Sequence, residues 1–387
     1  MKILYYSTAY YAEHGGSNHS RAFVEWARKN DDVEQVIVFP SQGNSRKPMT
    51  VSIGGGALSK FLKGQGITTV FRFLRRSKFH QVDILRIIEE QQPDAIIMRL
   101  DGNFPQITKI KQKFPHILVA TEVNASPFDE SFRGISFRSF FQRQERRHLA
   151  NADLNFFVSN TLRKNIMGGR SLDQRDVVLA NGVDPELFAP STDKKASKIN
   201  AGLPYDKVVI GYVGTLDLSK RMGVLLNAFA SIRRTREDVY FVIVGDGPDM
   251  ISLKTLQKEQ NLEDVLLFTG NVPHEQVPKY LQAFDIAIHH AAKDYMCPLK
   301  LFEYLATGIP VIGPDTGAVR EIFGDEEHLF LCQAEVSSIV QKLDRCLTDM
   351  PHANAVATEG LKLVKRKYTW KINADTVIDK LKARTFK

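Results

Sequence analysis

The second half of this chain carries a row of short, almost wholly apolar runs: Val208 to Val213, Tyr240 to Val244, Val265 to Phe268, Ile286 to Ile288 and Pro310 to Ile312. A strand with one wet face alternates polar and apolar residues, so an unbroken apolar run has to be covered on both faces. Each run leads through Gly, Asp, Asn or His into a stretch with helical spacing, at 221–234, 249–260, 274–283, 299–306 and 335–347. Doubly covered strands alternating with helices predict a doubly wound parallel sheet. The first half repeats the alternation more loosely, with strands predicted at 2–8, 35–40, 95–100, 117–123, 154–159 and 177–180. A helix predicted at 17–29 puts Ala22, Phe23, Trp26 and Ala27 on one face, away from Arg21, Glu25, Arg28 and Lys29.

A length of 387 residues exceeds what one core usually fills, so two domains are expected. The polar stretch 191–200 reads as their linker, leaving one domain over 1–190 and the next from 201. Two similar α/β halves facing each other across a cleft is the expected architecture. With 43% apolar and 25% charged residues the chain is not generally disordered, and it has no 18-residue apolar run to cross a membrane. Three cysteines cannot build a disulfide framework or a four-cysteine zinc site, and the apolar start is too short for a secretory leader. A cytoplasmic protein is expected.

Charge is unevenly placed. Residues 1–190 hold 26 Lys and Arg against 19 Asp and Glu, the remainder 26 against 25. Such a field in the first half favours an anionic partner.

In open α/β sheets ligands bind beyond the carboxyl ends of the strands. In the second half those ends are Gly214 to Lys220, Gly245-Asp246-Gly247, Gly270-Asn271-Val272, His289-His290 and Gly313-Pro314. The sharpest segment runs from Tyr295 to Val311. Pro298 suits a helix start and Gly308 its stop, with Leu301, Phe302 and Leu305 on the buried side and Glu303 projecting elsewhere. The free amides of Leu299 and Lys300 would suit a phosphate, and a carboxylate one turn on could accept two ribose hydroxyls. Glu303 can equally be an ordinary surface residue on a well-packed helix.

Together these residues resemble the family 4 glycosyltransferases, retaining enzymes of the two-domain GT-B fold. Val213-Gly214-Thr215-Leu216 with Lys220 is similar to the family's Gly-Arg-Leu…Lys loop, and Val244 to Pro248 to its second strand and turn. Leu267 to Val272 resembles the base-binding loop, Pro298 to Val311 the Pro-Leu-Lys-Leu-Phe-Glu-Tyr form of the signature helix, and Gly15-Gly16 the acceptor-side glycine loop. The resemblance covers nearly the whole chain. It implies domains at 1–190 and 201–365, with a helix over 366–387 returning to the first domain.

The implied activity is hexosyl transfer from a nucleotide-diphosphate sugar, a UDP-sugar by preference, to a glycan, lipid-linked or small-molecule acceptor in surface-polysaccharide or glycolipid synthesis. Lys220, helped by Arg221, would stabilise the departing diphosphate, and Glu303 would hold the ribose. Gly16, Gly214, Thr215, Gly245, Asn271, Val272, Tyr295, Met296, Leu299 and Lys300 would line the donor site. On the acceptor side stand Gly15, His19, Arg99, Glu122 and Asn124. Because the chain has no Asp-x-Asp, a metal-free donor site without cofactors is expected.

Three departures from the family pattern stand out. Thr215 replaces the usual Arg, Tyr295 replaces the first Glu of a Glu-x7-Glu pair, and Thr121 to Pro127 replaces the common His-Asp. They leave open a catalytically inactive nucleotide-sugar-binding relative and a sugar-nucleotide 2-epimerase. Two stretches, 58–80 and 131–148, interleave Phe with Lys and Arg. Either can lie on an anionic membrane, on its inner face, or be an ordinary helix with its aromatics inward. No nucleic-acid-binding motif accompanies the charge, so nucleic acid is not an expected partner.

Overall fold

Lys2–Tyr6 (β1), Gln35–Phe39 (β2), Ala95–Arg99 (β3), Leu118–Val123 (β4), Leu154–Phe157 (β5) and Asp176–Val178 (β6) pair in the order β2-β1-β3-β4-β5-β6, all parallel. The structure is a computed structural model that describes all residues except 9, 12–14, 42–69, 71–73, 75–81, 101–106, 127–135, 169–172 and 386–387. Side chains alternate across this sheet. Ile3, Tyr5, Ala95 and Ile97 pack with Phe23, Val24 and Ala27 of the Gly15–Arg28 helix. Leu4, Tyr6, Ile96 and Met98 pack on the other face with Ile84, Ile88, Ile107 and Ile110. Both faces are dry, which is why the strands read as unbroken apolar runs.

The second sheet is built from Val208–Val213 (β7), Val239–Val244 (β8), Leu266–Gly270 (β9), Ile286–Ile288 (β10), Val311–Pro314 (β11) and Phe330–Cys332 (β12). Its order is β12-β11-β10-β7-β8-β9, again parallel. The chain is thus α/β with two doubly wound sheets, as its sequence pattern predicts. β12 was not among the predicted strands: three residues give too short a run to stand out from its surroundings.

The chain divides into Met1–Ala180 with Trp370–Lys387, and Asn181–Thr369. Ala374, Val377, Ile378 and Leu381 of the Trp370–Thr385 helix complete the first unit's core beside the Gly15–Arg28 helix. Two boundaries differ from the sequence reading. The first unit ends at 180, not 190, because Val183 donates its N–H to Tyr368 O at 2.9 Å and so joins the second unit. The polar stretch 191–200 is not a linker but contains the Lys194–Asn200 helix of the second unit. Asp193 caps it by accepting from Ala196 N at 3.0 Å. Lys194 donates to Gln282 O and Phe284 O, the last carbonyls around the Val277–Ala283 helix, and Lys198 pairs with Asp285 at 2.6 Å. These polar residues are anchors, a use that composition alone does not reveal.

Candidate functional site

Each parallel sheet has one place where successive connections leave in opposite directions, and the chain ends diverge there to leave a crevice. In the second unit it lies between β7 and β10. β10 pairs with β7 only at Ile210 and Gly211, so the N–H and C=O of Val213 are left beyond the ladder. The buried hydroxyl of Tyr304 fills that gap, accepting from Val213 N at 2.8 Å and donating to Val213 O at 3.2 Å. Tyr304 belongs to the Leu299–Ala306 helix, so this plug pins the helix at the mouth of the crevice. Burial, followed by the neighbouring Tyr212 hydroxyl, pushes the Tyr304 hydroxyl well above its ordinary pKa, and it serves as a fixed hydrogen-bonding group.

The same helix starts after Pro298, extended at φ −65° and ψ 124°, and stops at Gly308, which takes φ +68°. No side chain caps its start, leaving the first amides free. Glu303 is buried, and its Oε1 lies 3.2 Å from His274 Nε2. His274 opens the short His274–Gln276 turn after β9 and rests edge-on against Phe188, ring centres 5.6 Å apart. Sequence reasoning missed His274: the residues between Val272 and the helix carry no spacing that points at Glu303. Glu303 is accordingly not a surface residue on a packed helix; it is a buried carboxylate held by an imidazole.

Lys220 ends the Leu218–Lys220 turn, and Arg221 takes φ +50° to start the Met222–Thr235 helix. The Arg221 side chain is exposed and its carbonyl lies 3.2 Å from His290 Nε2, so this residue contributes backbone to the crevice. Gly214 lies under the Lys300 stem; a Cβ there would stand 3.0 Å from Lys300 Cε. Gly245, at φ +139°, passes so close to Gly214 that a Cβ would sit 2.0 Å from its carbonyl oxygen. Thr215 and Asn271 are exposed, Val272, Met296 and Leu299 half-buried, and Tyr295 is buried with Lys293 Nζ 3.3 Å from its hydroxyl. The structure thus gathers Lys220, Lys300, Glu303 and Gly214 at the β7–β10 divergence, together with His289. His289 is 4% exposed and stacks on Tyr212 with an interplanar angle of 6°. Burial, then the charges of Lys300 and Lys220, hold its pKa well below the usual histidine value.

In the first unit the corresponding divergence lies between β1 and β3. Tyr5 Oη lies 2.7 Å from Glu122 Oε2 and 3.1 Å from Ser20 Oγ, and His19 Nε2 lies 3.4 Å from the same carboxylate oxygen. Arg99 stands beside Glu122 in register on the adjacent strand. Burial would raise the Glu122 carboxyl, but His19, Arg99 and the Tyr5 hydroxyl outweigh it and hold the pKa below the ordinary range. Three acceptor-side candidates, His19, Arg99 and Glu122, therefore form one buried cluster with Tyr5, which the sequence reading did not select. Gly15 and Gly16 begin the helix that carries His19, and Asn124 follows β4 half-buried. His14 and nearly all of 58–80 lie outside the described residues. Of the second basic stretch, Phe137 and Phe140 are 77% and 57% exposed.

Residues 193–362 match the family model described as glycosyl transferases group 1. This group 1 segment contains the whole β7–β10 site. The GPI3 subunit of phosphatidylinositol N-acetylglucosaminyltransferase from Saccharomyces cerevisiae is 27% identical over 229 residues, 57% of this chain and 49% of that protein. A teichuronic acid biosynthesis glycosyltransferase assignment is carried by TuaC of Bacillus subtilis, 26% identical over 245 residues, 63% of this chain and 58% of that one. The chain thus spans about half the length of these curated relatives. The crystal structure of Anabaena HepE in complex with UDP-glucose superposes with a TM-score of 0.69 at 16% identity, covering 99% of this chain and all of that one. The fold is GT-B, and the residues that match the group 1 model lie within the second unit. Among the described residues no group of three or more His, Cys, Asp or Glu is placed to hold a metal ion, and no helix is long and apolar enough to cross a membrane.

Proposed function

We propose that this protein is a retaining glycosyltransferase of family 4 that moves a sugar from a nucleotide-diphosphate donor, a UDP-sugar by preference, to an acceptor taken by the first unit. The observation that carries the reading is the meeting of Lys220, the open start of the Leu299–Ala306 helix and the buried Glu303–His274 pair at one strand divergence. Free amides and an ammonium suit the two phosphates, and a carboxylate steadied by His274 suits paired ribose hydroxyls. Lys220 would stabilise the charge that develops on the diphosphate as the glycosidic bond breaks, taking the load that a metal ion carries elsewhere. Asn271 and Val272, at the end of β9, would face the base. Attack from the face the diphosphate leaves would retain the anomeric configuration, with no nucleophile assigned to the protein.

The names of the relatives support a lipid-linked or polysaccharide acceptor. Exposed Phe137 and Phe140, with Arg143 and Arg147 exposed along the same helix, support contact with an anionic membrane surface. The test is transfer from a panel of labelled UDP-, GDP- and ADP-sugars by purified protein. Lys220→Ala is expected to lower turnover about 100- to 1000-fold with the melting temperature kept, the usual cost of losing one group that stabilises a developing oxyanion. Unchanged turnover in both Lys220→Ala and Glu303→Gln would remove these roles. An isomerised sugar without acceptor would make the protein a 2-epimerase.

A further inference from the structure

We propose that Arg99 and Asn124 form an oxyanion-recognition site in the first unit, one that selects acceptors carrying a phosphate or a carboxylate. This deepens the transferase reading by naming the acceptor's chemistry, and it rests on that reading. Arg99 ends β3, and Asn124 directly follows β4, the strand paired with it. Arg99 stands in register with Glu122, so Asn124 lies two residues further along the neighbouring strand. The two backbone positions are then about 5 Å apart across the sheet and about 7 Å along it, close enough for both side chains to reach one small anion. Arg99 is only 9% exposed, yet its guanidinium has no hydrogen bond or ion pair among the described residues, and its Nη1 is buried without a partner. Asn124 is half-buried, and its Nδ2 is likewise buried without a partner among the described residues.

Buried N–H groups almost always find an acceptor, so two unmet donors at adjacent strand ends call for one from outside. Glu122 does not supply it. That carboxylate accepts from Tyr5 at 2.7 Å and lies 3.4 Å from His19 Nε2; it feels the charge of Arg99 but forms no ion pair with it. A guanidinium is a planar fork that matches two oxygens of a phosphate or a carboxylate, and the Asn124 amide adds a donor for a third oxygen or a neighbouring hydroxyl. A neutral hydroxyl would leave most of that fork unmet. The excess of Lys and Arg over Asp and Glu in residues 1–190, 26 against 19, would draw such an acceptor in. An arginine that served only as counter-charge to Glu122 would need no donor beside it on the next strand.

The experiment is calorimetric titration of the purified full chain with three pairs of probes: glycerol 3-phosphate against glycerol, glucuronate against glucose, and phosphatidylcholine vesicles with and without phosphatidylglycerol. The first two pairs read a soluble phosphate or carboxylate, the third a lipid headgroup. At least one anionic probe is expected to bind more tightly than its neutral counterpart. Arg99→Met is expected to weaken that probe about 10- to 100-fold and leave the neutral one unchanged. Arg99→Lys keeps the charge but loses the fork, so its affinity should fall between the two. Asn124→Ala should cost about 2- to 10-fold. If Arg99 only balances Glu122, Arg99→Met lowers the melting temperature and leaves the ratio of anionic to neutral affinity as in wild type, which overturns the proposal. A wild type that prefers no anionic probe overturns it too, and if that wild type still binds UDP the transferase reading stands. If UDP, GDP and ADP all fail to bind, the transferase reading falls and the acceptor role of Arg99 falls with it. Should Arg99→Met fail to fold by circular dichroism, Arg99→Lys and Asn124→Ala are titrated in its place under the same criteria.

Discussion

At the β1–β3 divergence of the first unit one buried carboxylate is engaged by several neighbours, whereas at the β7–β10 divergence of the second two lysine ammonium groups have no hydrogen bond or ion pair among the described residues. Glu122 is ringed by Tyr5, His19 and Arg99, and its carboxyl is held below the ordinary range against the pull of burial. Lys220 and Lys300 have no ion pair among the described residues, and Glu303 is engaged by the His274 imidazole while its charge also favours the Lys300 ammonium. The two sheets are both parallel and six-stranded, so the contrast comes from side chains and not from architecture. A carboxylate engaged on several sides stabilises its own unit; cations without an ion-pair partner suit an anionic ligand.

The contrast predicts opposite signs for removing charge. Glu122→Ala should destabilise the first unit by about 3 to 5 kcal/mol, because it strands Arg99 and His19 in a dry setting. Hydrogen exchange resolved by segment checks this, and exchange in β1, β3 and β4 that does not quicken would break the comparison. Acid should weaken the second unit through His290. Burial first, then the charge of Arg221, outweigh its backbone hydrogen bonds and lower its pKa from 6.5 to about 4. The unfolded chain takes up a proton below pH 6.5 that the folded unit refuses until about pH 4. Stability is therefore complete above 6.5 and lost as pH falls across that window, by about 1.4 kcal/mol per pH unit at the steepest. A His290→Asn variant with the same slope would exclude this residue as the cause.

Tyr304→Phe comes next, at about 1 to 3 kcal/mol, since it leaves the Val213 N–H and C=O buried without their partner. Thermal melting measures the loss, and donor affinity should fall with it because the plug pins the helix. The smallest effect has the reverse sign: Lys300→Met should leave the second unit as stable or up to about 1 kcal/mol more stable in the absence of ligand. A marked fall in its melting temperature would show that Lys300 is settled like Glu122, and the distinction between the two sites would disappear.

The alternation of strands and helices and the limits of the Leu299–Ala306 helix were legible in the chain itself. Apolar runs, a Pro before a helix and a Gly after it act on their immediate neighbours, so they leave marks that can be read in order. The His274–Glu303 pair, the Tyr304 plug, the Tyr5–Glu122 bond and the helix hidden in 194–200 join residues 29, 91, 117 and 85 or more positions apart. No local rule constrains such partners. Strand order and packing bring them together, and only the folded chain decides which charges meet and which stay unmatched.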